Sequence, residues 1–324
     1  MKMLGTIVVC AWVLVGFCGF AQHAEPERPT GLKGPYLGQP VPGKVPTVFA
    51  PGIVSKTGVR VSACTFSPDG KEFYFTKSNE QIMVSRLVEG GWTYPAPFPA
   101  SAGHRALEPH VTCDNKRIFW NWEDPAHAGM GSIYVSQRTA YGWSAARYAG
   151  QGMFLSSSRD GSVYVTHLGS QSDYVSRAIM EGDRIVGYED LKGAIEKVRA
   201  RSDSVAHPCV APDGSYIVFD IDGDPHLFVS FRNQDGTWGE AIDLSQHGLD
   251  VKAGIASISP DGNYLFFGQA GDIYWVSTQL IDHLRSRGRL MSPSVDEVMF
   301  RPPVNKGFLA DKARIGLRDG IKQF

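Results

Sequence analysis

The sequence has almost no net charge, few cysteines and, past residue 21, no long apolar run. Its 324 residues carry 32 Lys+Arg against 33 Asp+Glu. With no basic excess to track a phosphate backbone, no nucleic-acid partner is expected. Of five cysteines, three lie beyond residue 21: Cys64, Cys113 and Cys209. An odd count allows at most one bridge with one thiol left over. Each lies at or beside an expected strand, where cysteine acts as a small buried hydrophobe, and no pair has zinc-like spacing. No serine nucleophile elbow, phosphate loop or metal-spaced histidine pair is present. Beyond the N-terminal run no segment is long enough for a membrane span. What the chain has in quantity is turn-forming residues, with 36 Gly and 20 Pro, alongside 11% aromatics. That mixture favours many short strands joined by turns. Apolar residues at 43% suit an ordinary globular protein, long enough to bury a large core without disulfide staples.

The first residues read as an export signal. Lys2 supplies a positive start, Leu4 to Phe20 is apolar, and Gly19-Phe20-Ala21 offers the small-x-small pattern of a signal-peptidase site. Cleavage after Ala21 would leave a periplasmic or secreted protein. Residues 22–47, rich in Pro and Gly, read as an extended arm outside the domain. Residues 48–288 read as one domain, and residues 289–324 as a C-terminal tail.

Internal repeats decide the fold. Ser67-Pro68-Asp69-Gly70 precedes Phe73-Tyr74-Phe75; Ala211-Pro212-Asp213-Gly214 precedes Tyr216-Ile217-Val218-Phe219; Ser259-Pro260-Asp261-Gly262 precedes Tyr264-Leu265-Phe266-Phe267. Two degenerate copies lie between, Thr112-Cys113-Asp114-Asn115 and Ser158-Arg159-Asp160-Gly161. The aspartates at 69, 114, 160, 213 and 261 are 45, 46, 53 and 48 residues apart, a period that suits a four-stranded propeller blade. A second apolar stretch and, in four copies, a turn such as Gly91-Trp92 or Gly142-Trp143 complete the unit. The fifth copy lacks its last strand, because Leu280 to Leu284 reads as helix. A matching stretch at Val48 to Gly52 is expected to pair with Ile273 to Val276 and close the ring, removing the exposed sheet edges. The fold class is therefore an all-β propeller of four-stranded blades, five by this count, six if the degenerate copies hide another. Leu191, Ala194, Ile195 and Val198 are spaced as a short amphipathic helix that accounts for the long third step.

The Ser-Pro-Asp-Gly turn followed by an aromatic strand resembles the TolB-type, WD-like β-propeller repeat. Gly38-Gln39, Phe49-Ala50-Pro51-Gly52, Glu108-Pro109 and Asp272-Ile273-Tyr274-Trp275-Val276 resemble segments of exported bacterial proteins built from such repeats. The resemblance covers residues 35 to 285. It implies a fold and leaves the activity open, since propellers host binding, scaffolding and catalysis alike.

The repeated aspartates read as turn formers: Asp satisfies nearby backbone N–H groups and Gly accepts a positive φ. The tryptophans at 92, 143 and 238 read as packing between blades. Chemistry is expected on the opposite face, at the irregular loops that enter each inner strand and leave each second strand. Nine residues before each aspartate stand Arg60, Arg105, Gln151, Ser204 and Lys252. Six before stand Ala63, Glu108, Phe154, His207 and Ile255. His104, Trp122, Glu123, His127, His167, Asp203 and Asp220 lie nearby. The candidate ligand-binding set is Arg60, Arg105, Glu108, Trp122, His167, His207 and Lys252. Arginines grip carboxylates and an indole stacks on a sugar, so the expected function is a binding or interaction module for a carbohydrate or a cell-envelope partner. The alternative is a lyase on uronate-containing oligosaccharides, with His207 or His104 as base, Arg105 or Arg60 neutralising the enolate, and Glu108 nearby. No cofactor is expected. Asp220, Asp222 and Asp224 resemble part of a calcium loop, but Pro225 stands where an EF-hand needs Gly and Phe231 where it needs Glu, so the plainer reading is a polar hairpin.

Overall fold

The computed structural model describes residues 28–291 apart from 128, 170–172 and 200–203. The leader and the C-terminal tail from residue 292 lie outside the described residues. Five antiparallel sheets follow one another along the chain, so the five-blade count holds. Blade 1 contains Val61–Phe66, Glu72–Lys77 and Gln81–Val88, with short outer strands Gly91–Trp92 and Ala96–Pro97. Blade 2 contains Ala106–Val111, Arg117–Asp124 and Gly129–Thr139, with Gly142–Trp143 and Arg147–Gln151 outermost. Blade 3 is Met153–Ser157, Val163–His167, Tyr174–Glu181 and Arg184–Asp190. Blade 4 is Val205–Val210, Tyr216–Ile221, Leu227–Phe231 and Ile242–Asp243. Blade 5 takes Gly254–Ile258, Tyr264–Gln269 and Asp272–Ser277 from its own repeat and its fourth strand, Thr47–Val48, from the N-terminal side. Thr47 pairs with Trp275 and Val48 with Tyr274, the closure that the sequence implied.

The turns form for the reason their residues suggest. In all five the aspartate carboxylate accepts the backbone N–H two residues on: Asp69 from Lys71, Asp114 from Lys116, Asp160 from Ser162, Asp213 from Ser215 and Asp261 from Asn263. The next position is left-handed in every copy, held by glycine in four and by Asn115 (φ 58°) in the second, the side chain that tolerates this region best after glycine.

Packing is organised by blade junctions. One apolar cluster fills each of the five, and the richest in aromatic rings lies where blade 5 meets blade 1. There Phe49, fully buried, touches the rings of Phe66, Phe73, Phe266 and Trp275. Residues 28–38, part of the stretch read as an extended arm, lie against this seam. The Trp92 indole donates to the Gly34 carbonyl, Trp92 and Leu32 are joined through their backbones, and Tyr36 stacks edge-on against Phe66 and Tyr264. Gly91 has φ 129°, and a Cβ there would stand 2.4 Å from the Leu32 carbonyl oxygen, so only glycine permits the approach. Trp92 and Trp238 are buried between blades, and Trp143 donates to the Tyr74 hydroxyl beneath the Arg138 guanidinium.

The long third step contains one helical turn, Glu196–Arg199, with Leu191 and Ile195 buried ahead of it. After blade 5 the chain enters the helix Gln279–Met291, continuing the helical stretch read at Leu280 to Leu284. Among the described residues no helix is long and apolar enough to cross a membrane. Replacement of Phe49 by alanine removes the ring on which the seam converges. We expect a loss of about 3–5 kcal/mol in urea unfolding; a loss below about 1 kcal/mol would show that closure does not depend on this packing.

Candidate functional site

The five residues six positions before each aspartate share one unusual geometry. Ala63, Glu108, Phe154, His207 and Ile255 all have positive φ, between 36° and 58°, and each innermost strand has its register shift there. A left-handed non-glycine residue costs on the order of 1–2 kcal/mol, and a bulge re-aims its side chain. The strain is offset from the neighbouring blade. Thr76 of blade 1 accepts the Glu108 N–H, Asn121 of blade 2 that of Phe154, Thr166 of blade 3 that of His207, and Asp220 of blade 4 that of Ile255. The equivalent acceptor position in blade 5 is Gly268, which has no side chain to offer.

These bulges bring Glu108 and His207 together in the channel. The His207 ring nitrogen Nδ1 is 2.8 Å from Asp220 Oδ1, and Nε2 is 3.8 Å from Glu108 Oε1. Glu108, 7% exposed, also accepts the Phe154 N–H at 3.2 Å, and the Phe154 ring meets the imidazole edge to face. Blades 2, 3, 4 and 5 are thus tied through one charged network. Burial alone would push the His207 pKa down, but the charge and hydrogen bond of Asp220, with Glu108 and Asp173 adding, carry it up to about 9. Burial pushes the Glu108 carboxyl up, although His207 opposes it. Asp220 was read as a loop or calcium residue; the structure makes it the partner of His207.

The cations lie elsewhere on the same face. Arg60 and Lys252 line a 230 Å³ depression between blades 5 and 1 with Ser62, Asn79 and Gln269. No carboxylate lines it, and neither cation has an ion-pair partner among the described residues. Arg105 donates to the Asn79 carbonyl at 2.9 Å and lies 3.7 Å from Glu123, so it borders this depression.

Beside Arg105 begins an aromatic cluster that the sequence reading found only in part. His104 lies on Trp122 at 3.9 Å between centroids, Trp122 on Tyr134 at 4.4 Å, and Tyr134 against Tyr148 at 5.8 Å. His127 stacks on Tyr148 at 3.8 Å and binds Asp124 through Nδ1 at 2.6 Å. Asp124 also accepts from the Tyr134 hydroxyl, the first cause holding its carboxyl near pKa 2. On blade 3 His167 stacks on Tyr188 and meets Tyr174, and the Tyr188 hydroxyl reaches back to the Gln151 carbonyl of blade 2. Tyr134, Tyr148 and Tyr188 come from third and fourth strands, where apolar alternation alone does not separate a surface ring from a core one.

The lyase arrangement gains no support. His207 is held as an imidazolium by Asp220, so it has no free lone pair for proton abstraction near neutral pH. His104 and Arg105 are engaged on the rim by Trp122, Asn79 and Glu123. Asp220, Asp222 and Asp224 do not converge either: Asp220 binds His207 and the Ile255 N–H, whereas Asp224 binds His226. Among the described residues no group of three His, Cys, Asp or Glu side chains could hold a metal ion.

The architecture defines the class of the molecule: an all-β, five-bladed propeller whose last blade is closed by a strand from the N-terminal side. No protein-family model and no curated protein matches the sequence. Among solved structures, it is similar to a protein described as TolB from Agrobacterium tumefaciens, with 15% identity over 64% of this chain and 69% of that one, TM-score 0.46. It is also similar to TolB from Acinetobacter baumannii, with 15% identity over 66% of this chain and 53% of that one, TM-score 0.43.

The channel network sets a pH dependence. A histidine whose folded pKa of about 9 exceeds its ordinary 6.5 contributes stability that is complete below pH 6.5 and lost as the pH rises through 9. The raised Glu108 acts in the same sense. We expect thermal stability to fall across that window, with His207 accounting for on the order of 3 kcal/mol. His207→Gln should flatten the profile there; parallel profiles for the two proteins would refute the assignment.

Proposed function

We propose that this propeller is an exported interaction module that binds an acidic carbohydrate on the face of its irregular loops. Sugar faces stack on Trp122 and the neighbouring tyrosines, and a carboxylate of the same chain sits in the Arg60–Lys252 depression, with Arg105 between. The single observation that carries this reading is the meeting, on one face, of a half-exposed aromatic cluster with a basic depression that no carboxylate lines. Flat rings offer apolar area and polar edges at little cost in entropy, which suits sugar rings. Arg60 and Lys252, without an ion-pair partner among the described residues, keep their charge for the ligand. Export rests on the leader at residues 1–21, with its positive start, apolar run and small-x-small end. A cell-envelope protein is the second partner class for the same face.

Titration calorimetry with oligogalacturonate, alginate oligosaccharides and neutral cellohexaose tests the reading. Acidic oligomers should bind and cellohexaose should bind more weakly. Trp122→Ala should weaken all of them by about 1 kcal/mol, roughly fivefold, and Lys252→Ala only the acidic ones. The absorbance of unsaturated uronates should not develop. Failure of the folded chain to bind any acidic oligosaccharide would overturn the carbohydrate reading and leave an envelope protein as the partner to seek.

A further inference from the structure

The channel has a second mouth, on the face of the Asp-Gly turns. Three turns place proline at their second position there, Pro68, Pro212 and Pro260; the degenerate copies place Cys113 and Arg159 at the same point. These five residues line a single cavity of 260 Å³ that extends up the channel to Phe154. Its lining includes no Asp or Glu, and Arg159 is its one charged residue. The Arg159 backbone N–H donates to the Pro212 carbonyl at 2.9 Å, and its guanidinium donates to the Pro260 carbonyl at 2.7 Å. The side chain therefore reaches from blade 3 past blade 4 to blade 5, with further N–H donors to spare.

Beneath it lies a polar pair. His110 Nε2 is 2.9 Å from the Ser157 hydroxyl, and the Ser157 carbonyl accepts the Cys113 thiol at 3.2 Å. Burial pushes the His110 pKa down to about 4, so the ring is neutral and the pair offers one donor and one acceptor without a charge. Phe66, Leu155 and Ile258 supply apolar wall. A cavity of 260 Å³ lies at the small end of ligand sites and suits a small molecule. One guanidinium and no carboxylate call for a single negative charge.

We propose that this mouth binds a small monocarboxylate bearing a hydroxyl or carbonyl group, its carboxylate on Arg159 and its second oxygen on the Ser157–His110 pair. The site is separate from the loop face and does not depend on the function assigned to it.

Calorimetric titration of the purified chain with lactate, pyruvate and the uncharged isostere lactamide tests the proposal. Labelling of Cys113 by iodoacetamide, followed by peptide mass spectrometry, gives the location. Lactate or pyruvate should bind one to one, and lactamide should not. At ten times its dissociation constant the bound acid should slow Cys113 labelling by roughly tenfold. Arg159→Ala should abolish both effects and Arg159→Lys retain part of them. Absence of binding by either acid, equal binding of lactamide, or binding undiminished in a folded Arg159→Ala chain would each overturn the proposal. Should that variant fail to fold, the contrast between lactate and lactamide on the native chain still decides.

Discussion

A single hydrogen bond, repeated around the channel, holds the geometry on which the rest depends. Each innermost strand carries one residue in the left-handed region, and in four of the five steps a side chain of the preceding blade accepts its N–H. Without that acceptor the bulge would combine backbone strain with an unpaired amide, and neither is tolerated for long in a buried position. With it, adjacent blades are locked in register at the axis, where packing alone would let them slide. The bulge also turns the side chains at these positions out of the regular alternation, so Glu108 and His207 meet across the channel.

The step that lacks this bond follows the one blade assembled from both ends of the domain. Between blades 5 and 1 the acceptor position is Gly268, and the fourth strand of blade 5 comes from the other end of the domain. Here the fold substitutes packing for polar stapling: Phe49, Phe66, Phe73, Phe266, Trp92 and Trp275 are all buried in one cluster, with Tyr36 of the docked N-terminal segment laid over it. Aromatic rings bury a large area per residue, which suits a junction built from two distant segments. A polar staple at the same place would need those segments aligned before it contributed anything.

Regularity and departure from it divide the molecule by role. The three intact turns have the same prolines and the same Asx bonds, and they build the rim. The two degenerate turns keep the bond from their aspartates but exchange proline for Cys113 and Arg159, which gives the cavity lining its one charged residue and a half-buried thiol. On the opposite face the second strand of blade 2 ends in Trp122, Glu123 and Asp124, whereas the equivalent strand of blade 5 ends in Gly268 and Gln269. The aromatic rings of this face therefore concentrate on blades 2 and 3, the blades whose repeats have drifted furthest.

By itself the sequence determined the repeat and the closing strand and narrowed the blade count to five or six, because turn chemistry is local. An aspartate two residues before a backbone N–H and a glycine at positive φ state a hairpin wherever they occur, and a period near 48 states a blade. The sequence also placed Glu108 and His207 at one level of the channel, since equivalent positions in a symmetric ring share a height. Only the tertiary structure decided which of those residues meet and in what charge state. The pairing of His207 with Asp220 depends on a bulge that no local pattern announces, and the placing of Arg60 beside Lys252 joins residues nearly two hundred positions apart. The docking of residues 28–38 was hidden for a related reason: Pro and Gly report backbone freedom, and the buried position of Leu37 and the half-buried one of Tyr36 follow from a seam formed by both ends of the domain. Local chemistry sets what each segment becomes, but burial and charge pairing exist only between segments and are settled when the ring closes.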